Sequence, residues 1–182
     1  MATVDKEIIL LKVSGQDKPG VTAGLTSILA SYDAVILDIG QADIHDTLSL
    51  GILFEIKTGS SSAAVLKDLL FKAYELGIKV NFIPITIPDY EIWVKGQRKQ
   101  RYIINILGET LTAVQLAAVT KIMSDQNLNI DSIIRLTGRV SVVEKEEYPR
   151  SCIQLSVTGN IIDKTAINAS FMQISGELDV DI

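Results

Sequence analysis

Eight consecutive residues, Ser14, Gly15, Gln16, Asp17, Lys18, Pro19, Gly20 and Val21, separate a strand-like run from a helix-like run and are the stretch of this chain best suited to hold a ligand. Pro19 presets the backbone dihedral of a first helical turn, and Gly15 and Gly20 allow tight bends with no side chain in the way. The amides of that turn then point outward and favour a carboxylate or phosphate by about 0.3–1 kcal/mol. Asp17 beside them attracts an amine. Gln16, Asp17, Pro19, Gly20 and Val21 therefore suit a small zwitterion such as an amino acid. Turn chemistry alone explains the same residue types, and that alternative stays open at this point.

Other reactive groups are sparse. His45 is the only histidine and falls in an expected hairpin turn, and Cys152 is the only cysteine, so an internal disulfide is excluded. No His and Cys cluster has metal-ligand spacing. Asp179 and Asp181 stand one residue apart like the aspartates of a phosphatase that forms an aspartyl-phosphate. Only Ile182 follows them, however, and two surface carboxylates alternating with Leu178 and Val180 account for the pattern. Gly15 and Gly20 lack the spacing and parallel βαβ context of a dinucleotide fingerprint. The expectation is no catalytic residue, no metal site and no cofactor.

The chain has 182 residues and a net charge of -5, so the electrostatic footprint of a nucleic-acid binder is missing. No run approaches the roughly 18 apolar residues that span a membrane, and the N-terminus lacks the layout of a secretion signal. We read a cytoplasmic protein with no membrane or nucleic-acid partner. A mean hydropathy of +0.30 is high for such a chain and points to a covered interface.

Periodicity gives the organisation. Ile9, Leu11 and Val13 alternate with Ile8, Leu10 and Lys12 in a first strand with two apolar faces. Val21, Leu25, Ile28, Leu29 and Tyr32 follow one helix face. Residues 35–44 and Leu48, Leu50, Ile52, Phe54 and Ile56 form a hairpin around His45, Asp46 and Thr47. Residues 59–62 supply breaks and caps. Leu66, Leu69, Leu70, Ala73 and Leu76 mark a second helix closed by Gly77, and Val80, Phe82 and Pro84 a fourth strand. The order is β-α-β-β-α-β, a ferredoxin-like unit with both helices on one face of an antiparallel sheet, hence an α+β fold. Residues 88–100, with Trp93 and the basic Lys95, Arg98 and Lys99, read as a linker between a first domain (1–87) and a second (101–182).

The order then repeats. Strands are expected at 102–107, 130–136, 152–157 and 178–182, and helices at 113–126 and 164–174. Ile28, Leu29, Ile36 and Ile39 recur as Ile122, Met123, Ile130 and Ile133 at a constant offset of 94. The second hairpin has a long tip at 137–150, where Glu144, Lys145, Glu146 and Glu147 read as a solvated charge run. The chain stops inside the alternation of Leu178, Val180 and Ile182. Such an end fits a native terminus or a piece of a longer protein.

With Gly15, Asp17, Pro19 and Gly20 opening its first helix, the doubled unit resembles tandem ACT domains, the amino-acid-sensing modules of biosynthetic enzymes. Tyr90 and Trp93, residues 101–108, and Ile133, Arg135 and Leu136 look more narrowly like the regulatory half of the bacterial phosphoserine phosphatase family. There, two ACT-like domains precede a magnesium-dependent catalytic domain of the haloacid dehalogenase superfamily, which has no counterpart here. The resemblance implies a regulatory, serine-binding, homodimeric module without catalysis of its own. It also implies a ligand site shared between domains: the loop on one, and an Asn at the start of strand two on the other. The first domain has the loop but Val35 at the Asn position. The second has Asn129, while Gly108, Glu109, Thr110 and Leu111 replace the loop and Thr112 with Gln115 forms a capping box. One composite pocket, within a chain or across a dimer, is the expectation, against Asn127 and Asn129 being turn residues. The alternatives are a free-standing tandem ACT regulator of the glycine cleavage repressor type, acting through a protein partner, and an assembly scaffold without ligand.

Overall fold

The structure, a computed structural model, describes residues 6–57, 62–97, 99–139, 150–161 and 163–182. It divides into two compact units, Met1–Lys95 and Gly96–Ile182. In the first, β1 (Lys6–Gln16), α1 (Val21–Ser31), β2 (Val35–Ile44), β3 (Thr47–Lys57), α2 (Ser62–Leu76) and β4 (Lys79–Ile85) build an antiparallel sheet in the order β2-β3-β1-β4. Alternate residues of β1 (Ile9, Leu11, Val13) and β3 (Leu48, Leu50, Ile52, Phe54, Ile56) face the same way. They are sealed by Val21, Leu25 and Leu29 of α1 and by Val65, Leu69 and Ala73 of α2. Both helices thus lie on one face. The Tyr32 hydroxyl closes the gap between them by donating to the Asp68 carboxylate at 2.6 Å. That bond, with burial and the carboxylate's charge acting the same way, raises the Tyr32 pKa above the usual tyrosine range.

The second unit comprises β5 (Arg101–Gly108), α4 (Ala113–Asp125), β6 (Asn129–Arg135), β7 (Ser151–Thr158) and α5 (Lys164–Leu178), with sheet order β5-β7-β6. Its separate core contains Ile106, Val119, Met123, Leu155, Val157, Ile167 and Phe171. The repeat reaches the backbone. Asp33 and Asn127 both sit in the left-handed region at φ 52° and 54°. The following amides, of Ala34 and Leu128, bond back to Leu29 and Met123 at 3.1 and 2.9 Å. Both second strands then carry a bulge, between Ile36 and Asp38 and between Ile130 and Ser132. All these pairs keep the offset of 94.

The structure departs from the sequence reading in two places, the last strand and Leu70. The expected last strand at 178–182 is largely helix and cap: α5 runs through Leu178, and Asp179 ends it at φ 53°. Val180 turns into the core and only Asp181 bridges β5, at Leu107. The segment read as a linker contains a helix: Ile87–Gly96 forms α3, opened by the Thr86 hydroxyl and Asp89. Trp93 has its ring contact with Tyr90, centroids 5.8 Å apart. Leu70, assigned to the core face of α2, is 52% exposed. The caps expected at 59–61, Arg98, and the charge run at 144–147 lie outside the described residues.

Candidate functional site

Strand pairing consumes the start of the candidate loop. Ser14, Gly15 and Gln16 continue β1 opposite Ser49, Leu48 and Thr47, so only Asp17, Lys18, Pro19 and Gly20 connect strand to helix. Gly15 has a packing role, because a Cβ there would lie 2.9 Å from Ile78 Cγ2 and 3.2 Å from Ile78 Cα. Gly20 has a conformational one. It is the N-cap of α1 at φ 94°, with open space where a Cβ would stand. Lacking a side chain, it makes no capping hydrogen bond, and the turn is held instead by main chain. The Gly24 amide donates to Gly20 O at 2.8 Å and the Asp17 amide to Asp46 O at 2.8 Å. Val21 is buried and anchors the helix start, while Gln16, Asp17, Lys18, Pro19 and Gly20 are exposed.

Two neighbours of this loop escaped the sequence reading. The Thr22 hydroxyl, in the first turn of α1, donates to Gln41 Oε1 on β2 at 2.8 Å. The one available signal was Gln41 itself, a polar residue on the same strand face as Ile36 and Ile39.

The corresponding place in the second unit is built differently. Thr112 Oγ1 accepts from the Gln115 amide at 3.3 Å, and the Thr112 amide donates to Gln115 Oε1 at 2.7 Å, a complete capping box. Gln115 Nε2 also donates to Leu178 O at 2.8 Å, tying α4 to the end of α5. The start of α4 is thus occupied by its own side chains. A cavity of about 370 Å³ beside it is lined by Glu109, Asp179 and Asp181 against one cation, Arg150, which contacts Asp181 at 3.3 Å. That surplus of carboxylates disfavours an anion. Replacing Thr112 by Ala is expected to lower stability by about 1 kcal/mol in chemical denaturation, the usual cost of losing a cap.

Asn129 is the first residue of β6, opposite Thr158. Its Nδ2 donates to Asp131 Oδ1 at 2.8 Å, which also accepts from the Thr158 hydroxyl at 3.0 Å. Asn127 is the left-handed residue after α4 and serves the turn. His45 and Asp46, both left-handed, form the two-residue tip of the first hairpin. Among the described residues no group of three or more His, Cys, Asp or Glu is placed to hold a metal ion, and no helix is long and apolar enough to cross a membrane.

Comparison with known sequences decides the family. ACT-domain profiles match residues 7–83 and 101–182, which together span most of the chain. The chain belongs to the ACT-domain family. Its two ACT domains coincide with the two ferredoxin-like units, and Asp17 and Gly20 lie in the first ACT domain, Asn129 in the second. Over 180 residues, 99% of its length, the tandem ACT chain is 27% identical to a phosphoserine phosphatase of Streptomyces coelicolor, of which it spans 40%. A UPF0237 protein of Methanocaldococcus jannaschii is 37% identical over 73 residues, covering 40% of this chain and 81% of that protein. In three dimensions the chain is similar to the crystal structure of a candidate glycine cleavage system transcriptional repressor. The TM-score is 0.63 at 13% identity, covering 97% of this chain and 94% of the other, which establishes a shared tandem fold.

Proposed function

We propose that this tandem ACT chain is the amino-acid-sensing and dimerising module of a phosphoserine phosphatase, with L-serine as ligand. The observation that carries the reading is the contrast between the two equivalent helix starts. That of α1 is opened by a glycine without a side-chain cap, while that of α4 is closed by Thr112 and Gln115. A turn needed only for folding would be built alike in both copies. In this reading the first-turn amides of α1 hold the ligand carboxylate, with Gln16, Pro19, Gly20 and Val21 shaping the approach. Asp17 takes the ammonium, and Asn129 of the same chain or of its partner supplies the remaining hydrogen bonds. A ligand held by two domains favours the arrangement that brings them together, and only such differential affinity can bias a distant active site.

Titration calorimetry of the full chain with L-serine tests the ligand. Absence of heat with serine, glycine and alanine overturns it. The parent activity rests on similarity along the whole chain to a phosphatase of which it spans 40%. It is read from the genomic frame beyond the Ile182 codon: a continuing frame with an Asp-x-Asp motif is the expected result. A stop codon removes the phosphatase and favours a free-standing regulator acting through a protein partner, to which the acidic charge of -5 is suited.

A further inference from the structure

Helix α2 is apolar on more than its inward face. Val65, Leu69 and Ala73 enter the core and Leu66 packs against its edge, while Ala63, Leu66, Leu70, Phe71 and Tyr74 with Lys67 line a surface groove of about 610 Å³. Leu70, Phe71 and Tyr74 are 52%, 60% and 87% exposed. An aromatic side chain carries about 150–250 Å² of surface, so this patch amounts to roughly 400 Å². That is the size of the largest apolar patch on an ordinary monomer, where such patches commonly mark an interaction site.

We infer that this face of α2 binds the same face of a second copy, the two helices running antiparallel about a twofold axis near Leu70 and Phe71. The placement of charge selects this occupant. Lys67 lies before the apolar centre, with its ammonium over the Phe71 ring at 5.7 Å. Glu75 lies after it, its side chain is 64% exposed, and it pairs with the half-buried Lys72 at 2.9 Å. About an axis between Leu70 and Phe71 an antiparallel copy carries Lys67 to the level of Tyr74 and Glu75, so opposite charges meet once at each end of the face, twice in all. A parallel copy would set like against like. Self-complementarity of this kind is what a twofold interface requires. Two patches bury roughly 800 Å² in total, which is below the standard interface size and corresponds to a weak, concentration-dependent dimer.

The inference rests on the chain self-associating, as in the reading above, and names the surface. Sedimentation equilibrium of the full chain over a range of concentrations, without amino acid, tests both. The expected results are a reversible dimer, a dissociation constant raised at least tenfold by Tyr74→Glu, and weakening by Lys67→Glu or Glu75→Lys alone with recovery in the double charge swap. Both positions and Tyr74 are on the surface, so unchanged melting temperatures verify that the variants fold. A monomer at every concentration overturns the dimer and this inference together. A dimer indifferent to Tyr74→Glu, or a charge swap without recovery, overturns the inference alone.

Discussion

Addition of L-serine to about 100 times its dissociation constant is expected to stabilise the chain by about 2.7 kcal/mol. For a chain of this length that corresponds to a rise in melting temperature of about 5–10 °C. Asp17→Ala should abolish the rise while leaving the unliganded chain within about 0.5 kcal/mol of the parent, as is usual for an exposed residue. The reason lies in the bond that Asp17 makes. Its backbone amide, which alanine retains, donates to Asp46 O, and the side chain is exposed. Loss of the serine effect without loss of basal stability would therefore report on ligand contact. Asn129→Ala should also abolish the rise, at a small basal cost because its bond to Asp131 goes with it. A rise that survives in Asp17→Ala overturns its role, and no rise with any amino acid removes the sensing reading.

Phe54→Ala is expected to cost about 3–5 kcal/mol, the range for a buried aromatic replaced by a methyl group. Phe54 is fully buried on β3, paired with Ile9 of β1 on one side and Ile36 of β2 on the other. Its ring is among the largest side chains wholly inside the first core, which spans both helices and the central strands. Rigid strands on either side limit collapse into the space left. Urea denaturation gives the loss as a shift of midpoint at constant slope, and hydrogen exchange should place the loosened amides in β1 and β3. A cost below about 1.5 kcal/mol would mean that the site closes readily and that the first core is more plastic than its packing implies.

Much of this architecture was legible because its signals are local. The β-branched run at 35–44 gives β2, and Val21 and Ala113 open their helices where spacing and capping residues place them. The linker's helix was not read from the sequence: Pro88 is tolerated in a first helical turn, and with Thr86 as cap α3 opens there. The alternation of Leu178, Val180 and Ile182 imitated a strand because a left-handed aspartate, Asp179, reverses the chain between a helical leucine and a buried valine. Sequence gives no sign of which aspartate will adopt that conformation. Leu70 was misplaced since a helix apolar on more than its inward face has no single inward side to detect. The contact of Thr22 with Gln41 joins residues 19 positions apart and appears only once β2 lies beside α1.

The bond from the Asp17 amide to Asp46 O gives the loop a mechanical role. With the clamp between Thr22 and Gln41, it fastens the loop and the first turn of α1 to the tip and the flank of the β2–β3 hairpin. The hairpin is a long lever whose outer arm, β2, is the border of its sheet. Whatever stiffens residues 17–20 also stiffens that border. In the reading proposed above, a ligand on residues 17–20 would bear first on this outermost strand, which adjoins only β3 in its sheet.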